Sequence, residues 1–175
     1  MNILIDRMIR AARLEPNLYE EVEADRGATG QAMAVVVLSN VAAGVATIAG
    51  RGIGGIVVGT VVALVSWVVW AYLTYLIGTR LLPEPQTKAD VGELLRTLGF
   101  STSPGVIRVV GIVPGLIRLS FVVAAVWMLV AMVVAVRQAL DYTSTARAVG
   151  VCVIGFVVQA VILVLLFAAL GAPRA

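Results

Sequence analysis

The chain has 175 residues, of which 61% are hydrophobic and only 13% charged, and its formal net charge is +3. Soluble domains carry roughly 45–50% apolar and about 25% charged residues, so a water-soluble fold of this length could not bury so much apolar surface, and lipid must solvate much of it. The dispersed charge excludes a nucleic-acid binder, and the absence of histidine removes the commonest general base and metal ligand.

Residues 1–14 read as an amphipathic helix, with Asn2, Asp6, Arg10 and Arg13 on one face and Leu4, Ile5, Met8, Ile9 and Ala12 on the other. Such a helix suits the cytoplasmic membrane surface. Pro16 breaks it and fits the first turn of a second helix over 17–25. The acids of that helix, Glu20, Glu21, Glu23 and Asp25, form either a solvated face or a docking surface for a basic partner. The first 29 residues are too charged for a secretory signal peptide. They read as a cytoplasmic segment ahead of a transmembrane domain over 30–175.

Residues 31–50 carry no charge and match the ~20 residues a helix needs to cross ~30 Å of hydrocarbon. Arg51-Gly52 reads as a short turn into a second uncharged run, 53–78, which ends in Trp67, Trp70, Tyr72 and Tyr75 like an interfacial aromatic belt. In the hydrophilic connection 79–103, Pro83-Glu84-Pro85 stops the preceding helix. Thr87 reads as the N-cap of an interfacial helix at about 87–99, with Asp90 in its first turn. Val91, Leu94, Leu95 and Leu98 give that helix an apolar side, and Lys88, Asp90, Glu93 and Arg96 a polar one.

Residues 104–117 are apolar except for Arg108 and are broken by Pro114-Gly115. As an α-helix they would reach only about 21 Å, so they read as a short third span or as a continuation of the next. Clear spans follow at 119–136 and 149–171.

The expected fold is therefore all-α: a polytopic helical membrane protein with five hydrophobic segments, the third short, plus cytoplasmic amphipathic helices. Five spans with the N-terminus inside place Arg7, Arg10, Arg13, Arg26, Arg80, Lys88, Arg96, Arg137 and Arg147 inside. Arg51, Arg118 and Arg174 then lie outside, the asymmetry of the positive-inside rule. Four spans leave the split just as lopsided, so charge does not choose between them.

Several stretches, in order, resemble the Yip-domain family, the Ypt- or Rab-interacting membrane proteins and their bacterial relatives. Glu15-Pro16-Asn17-Leu18-Tyr19-Glu20-Glu21-Val22-Glu23-Ala24-Asp25 is similar to the pre-membrane segment of bacterial members. Glu93-Leu94-Leu95-Arg96-Thr97-Leu98-Gly99-Phe100 followed by Pro104 is similar to the family's passage from loop to third span. The Pro114-Gly115 break and Trp127-Met128 leading to Arg137-Gln138-Ala139-Leu140-Asp141 complete the resemblance. It implies five spans, a cytoplasmic N-terminus in a bacterial cell membrane and no catalytic residues.

The candidate functional residues are few. Asn40 and Gln159 fall near the middle of their spans, where an unpaired amide costs several kcal/mol. They are expected to hydrogen-bond across helices, either to each other or to a neighbouring carbonyl or subunit. Gly55, Gly59 and Ala63 repeat every four residues, as do Gly111 and Gly115. That spacing lets helix backbones approach closely in lipid, within the monomer or at a subunit seam. Arg108 and Arg118 flank the Pro-Gly break; each either snorkels to the interface or holds an anionic group or lipid beside a broken helix.

Cys152, the single cysteine, reads as a small packing residue. Gly50-Arg51-Gly52-Ile53-Gly54-Gly55 lacks the Lys-Ser/Thr end of a phosphate loop. No cofactor or metal is expected, a structural lipid aside. The expected partners are the bilayer, other membrane subunits or a second copy. The leading functional reading is a non-catalytic scaffold; behind it stand an accessory subunit of a larger, energy-transducing membrane complex and a small transporter or channel.

Overall fold

Apolar periodicity and length set the long elements, and polar contacts at one end of the bundle set the short ones. A computed structural model describes residues 2–171; Arg174, counted above among the outside cations, lies outside them. The helices are α1 (Ile3–Ala12), α2 (Pro16–Ala24), α3 (Ala28–Ala46), α4 (Ile48–Leu76), α5 (Val91–Phe100), α6 (Ile117–Ala139) and α7 (Thr145–Gly171). A π-helical turn, Ile77–Leu81, closes α4, and a 3-10 helix, Ser103–Ile112, follows α5.

Four stretches are long and apolar enough to cross a membrane: Ala28–Ala46, Gly52–Leu81, Ile117–Ala139 and Thr145–Ile162. Their outer faces are bare hydrocarbon, with Ile53 73%, Val58 64% and Val157 58% exposed. A monomer in water does not leave such a surface uncovered. These are the spans of a multi-pass membrane protein.

The third hydrophobic segment differs from a short α-helical span. Its 3-10 helix lies between α3 and α6, and Gly115 then turns the chain at φ +85°. Contacts fix its direction. A Cβ on Gly99 would meet Ala32, one on Gly105 would meet Ser39 Oγ, and one on Gly111 would meet Ala46 at 3.1 Å. α5 and the 3-10 helix therefore run as one unit parallel to α3. At ~2.0 Å per residue against ~1.5 Å for an α-helix, the 3-10 geometry lengthens a segment too short to traverse the bundle as α-helix.

The chain passes along the bundle five times: α3 outward, α4 back, α5 with the 3-10 helix outward, α6 back, α7 outward. α1, α2 and the connections α4–α5 and α6–α7 gather at one end, called here the near end.

The hairpin between α3 and α4 is spread over 47–52 rather than confined to Arg51-Gly52. Thr47 leaves helical geometry, and Gly52 breaks α4 at φ 62°, ψ −175°.

At the near end, charged side chains mainly close the protein onto itself. α1 ends in Leu14 at φ 62°, with Glu15 N–H returning to Arg10 O (3.2 Å), so α2 folds back along α1. Buried Arg7 then donates to Glu21 (2.9 Å), Asp25 (2.9 Å) and Gln31 (3.0 Å), and Arg10 donates to Glu21 at 2.6 Å. The apolar side of α1 is divided: Leu4 and Met8 pack against the core, Ile5 and Ile9 stay exposed as a helix lying on a membrane surface requires, and Arg7 and Ala11 are buried against α2.

α5 begins at Asp90, which forms a capping box with Glu93 (2.8 and 2.7 Å). Thr87, the expected cap, instead accepts from Glu84 N–H at 2.9 Å. Far from lying on a solvated side, Arg96 is 6% exposed. It donates to Val22 O (2.9 Å) and to Glu23 O, satisfying carbonyls that the end of α2 leaves without partners. Trp67 Nε1–H, expected in an interfacial belt, donates to Leu95 O at 3.0 Å.

The α4–α5 connection is tied to the α6–α7 turn by Glu84, which accepts from Thr143 N–H (3.0 Å) and Thr143 O–H (2.8 Å) and pairs with Arg147 (3.2 Å). Tyr142 O–H lies 3.0 Å from Gly78 O and 2.7 Å from Leu82 O, carbonyls at and just beyond the π-helical turn.

Two predictions follow from this packing. Gly99→Ala places its methyl 2.6 Å from Ala32 Cβ and 3.1 Å from Ala32 backbone, and should lower stability by about 1–3 kcal/mol. Gly30→Ala, also helical but with nothing within 4 Å, should be neutral or stabilising by up to about 1 kcal/mol. Thermal unfolding in detergent measures both, and equal effects would refute the seam.

The second concerns pH. Thr143 N–H and O–H pull the Glu84 carboxyl from 4.5 down to about 2. A depressed carboxylate contributes stability above its unfolded pKa and loses it as pH falls toward the folded value. The melting temperature should therefore drop as pH falls from about 4.5 toward 2, and Glu84→Gln should show a smaller drop.

Candidate functional site

The polar residues expected at mid-span converge on one cavity. Asn40 (α3), Ala63 (α4), Arg108 (3-10 helix) and Gln159 (α7) all line a space of about 560 Å³, bounded also by Ser39, Ser66, Trp67, Trp70, Leu98, Ser101, Thr102, Met128, Met132 and Phe156. This volume lies within the roughly 300–1,000 Å³ of small-molecule sites. Leu129 on α6 and Phe156 on α7 also line it while being 44% and 48% exposed, so the cavity opens on the flank of the bundle between those helices.

Asn40 donates to Thr60 Oγ1 at 3.0 Å, not to Gln159. Thr60 in turn bonds Ile56 O at 2.8 Å. The expected interhelical amide bond thus exists, but it joins α3 to α4. Gln159 faces the same cavity from α7.

The glycine stripe has an intramolecular use. Gly55 and Gly59 line a small pocket of about 150 Å³ with Asn40, Ala43, Gly44, Thr47, Ile56 and Phe121, and a Cβ on Gly59 would meet Asn40 at 3.4 Å. The shared stripe expected of Gly111 and Gly115 does not form. Gly111 is buried against Ser120, Ala46 and Ile117, whereas Gly115 is a left-handed turn residue in open space, because the 3-10 helix ends between them. Arg118 is exposed.

Arg108 is the electrostatic anomaly of the interior. Its guanidinium donates to Met128 Sδ at 2.6 Å and lies 5.8 Å from the Phe121 ring centroid. Among the described residues no carboxylate pairs with it. A thioether is a weak acceptor, so most of its donors have no protein partner of matching strength. On another wall of the cavity, Trp70 packs against Phe156 with centroids 4.7 Å apart and the rings tilted by 41°. Its fully enclosed Nε1–H has no acceptor, the only such buried side-chain polar atom among the described residues. Trp67, Trp70 and Ala63 share a helical face, a pattern the aromatic-belt reading absorbed. The serines and Thr102 carry no sequence signal that would single them out.

A second recess, of about 900 Å³, opens at the near end between α2, α5 and the α6–α7 turn. Glu20, Glu23, Glu93 and Asp141 line it, with Arg137 and Gln138 opposite. Gln138 donates to Glu20 at 2.8 Å, and Arg137 is spent on Tyr142 O (3.2 Å) and Thr143 O (3.4 Å). Burial pushes the Glu23 carboxyl up from 4.5 to about 7; Glu93, Asp141 and Glu20 add to the shift and Arg96 opposes it. The acidic face of α2 is thus divided. Glu21 and Asp25 are neutralised by α1, and Glu20 and Glu23 turn into the recess. Among the described residues, no group of three or more His, Cys, Asp or Glu could hold a metal ion.

No curated protein and no solved structure matches the chain. The family model described as the Yip1 domain matches residues 17–167, from the start of α2 to within α7. The match takes in the α2 acids, the α5 passage and all the spans described above. This multi-pass helical membrane protein belongs to the Yip1 domain family.

Proposed function

We propose that this protein is a non-catalytic membrane scaffold that holds a partner bearing a basic segment, with the near end on the cytoplasmic side of a bacterial cell membrane. The observation that carries the reading is the acidic recess. It presents four carboxylates to a concave surface whose one arginine is already engaged, and the surrounding elements are cross-tied rather than mobile. Charge complementarity of this kind steers and selects a partner. The orientation rests on Arg7, Arg10, Arg13, Arg26, Arg80, Lys88, Arg96, Arg137 and Arg147 gathering at the near end, as the positive-inside rule requires of cytoplasmic segments. Gly59 facing Asn40 and Gly111 packed against Ala46 and Ser120 support reading these glycines as packing positions and the recess as the interaction surface.

One observation favours a second reading, a small transporter or channel: the flank-opening central cavity. Solute flux into liposomes carrying the purified chain decides that question.

The scaffold reading has a pH signature. Glu23 is half ionised near pH 7, so the recess gains negative charge as pH rises through that value. Association with a basic partner should strengthen between pH 6 and 8, weaken with salt, and lose the pH dependence in Glu23→Gln. Native gels after gentle extraction, with and without Glu20→Lys, read this out. A lone monomer, or an assembly indifferent to both substitutions and to salt, would end the proposal.

A further inference from the structure

We propose that the central cavity is a binding site for an anionic acyl amphiphile: an oxyanion head on a hydrocarbon chain, entering from the bilayer between α6 and α7. Two independent observations point to it. Arg108 brings a full positive charge to the cavity wall with only a thioether and an aromatic face beside it. Trp70, which lines the same cavity, keeps an N–H without an acceptor enclosed behind its wall. In a low-dielectric interior a cation without a counter-charge is costly, and so is a buried donor without an acceptor. A ligand oxyanion supplies the counter-charge and accepts from donors in a fork geometry that suits phosphate and carboxylate alike.

The remaining wall defines the rest of the ligand. Ala63, Leu98, Ala125 and Met132 are apolar, and Met in particular adapts to an irregular chain. A small inorganic anion would leave this surface empty, and a neutral hydrocarbon would leave Arg108 unpaired. An amphiphile meets both demands, and the opening lies where its remaining bulk can stay in the membrane. The cavity is separate from the near-end recess and shares no lining residue with it, so this inference does not depend on the scaffold reading.

The test uses the full chain in nanodiscs of phosphatidylcholine doped with a small fraction of bromine-labelled phosphatidylglycerol, bromine-labelled phosphatidylcholine or bromine-labelled oleate. In a Trp127→Phe background the remaining tryptophans, Trp67 and Trp70, both line the cavity, and bromine quenches them on contact. Quenching by a labelled anionic species should occur at about tenfold lower mole fraction than by labelled phosphatidylcholine, the effect of ~1.4 kcal/mol of preference. Arg108→Gln should abolish that preference while leaving quenching by phosphatidylcholine in place.

Phosphatidylglycerol ahead of oleate identifies a phospholipid site; the reverse order identifies a fatty-acid site. Equal quenching by all three, or a preference that survives Arg108→Gln, overturns the proposal. Should Arg108→Gln fail to fold, native mass spectrometry of the unsubstituted chain with the same lipids decides: retention of anionic adducts no greater than of phosphatidylcholine adducts also overturns it.

Discussion

The architecture depends on one close-packed seam, in which Gly99, Gly105 and Gly111 ride against Ala32, Ser39 and Ala46. In lipid there is no hydrophobic force pulling helices together, so backbone approach and shape complementarity must do it. The glycines recur every six residues and their partners every seven. From Gly105 to Gly111, six residues of 3-10 helix rise about 12 Å and seven of α-helix about 10.5 Å, so the two ladders stay nearly in step there. A regular α-helix through 103–112 would rotate Gly105 and Gly111 off a common face and would be too short. The unusual helix type is therefore the geometry that lets this sequence reach the far end while keeping its small residues against α3.

Everything at the near end is arranged around carbonyls that such a fold leaves open. Arg96 satisfies the end of α2, Tyr142 the carbonyls at and after the π-helical turn, and Trp127 that of Ala12 at 2.7 Å, while Trp67 adds a second bond to the helical carbonyl of Leu95. Buried backbone acceptors without partners are expensive, more so beside hydrocarbon. Long side chains with fixed donors meet that need from a neighbouring element. This explains why Arg96, which looks like part of a solvated polar face in the sequence, is buried here.

The spans were legible because composition and length alone dictate them, and Asn40 was legible as an interhelical hydrogen bonder because an amide at mid-span must find a partner. Its partner was not, since Thr60 carries no mark distinguishing it from a lipid-facing threonine. The seam escaped a reading based on four-residue spacing: its six-residue period belongs to a 3-10 helix, which sequence gives no reason to expect over ten residues. Arg96 was misplaced for a related reason. Periodicity assigns it a side of a helix, but whether that side meets water or another helix end is a tertiary fact. Within the Glu93–Phe100 stretch that carries the family resemblance, nearly every residue turns out to have a structural duty. Its recognisability therefore reflects packing more than a site.

α5 is the shared wall of the two recesses, with Glu93 facing the acidic one and Leu98 the central one. That invites the idea of a signal passing from lipid to partner. Transmission would require α5 to have two arrangements of comparable free energy, and the seam argues for one. A slide of α5 along α3 by even part of a turn would drive the Gly99 or Gly105 position out of register with Ala32 and Ser39, and Arg96 would leave the carbonyls of α2. Rotation would break the capping box at Asp90 and the bond from Trp67 at once. Among the described residues, α7 packs mainly against α6, α4 and the π-helical turn, and it is anchored at its near-end start through Tyr142 and Arg147. The central cavity opens beside α7, and the acidic recess lies on the other side of an α5 held in one arrangement.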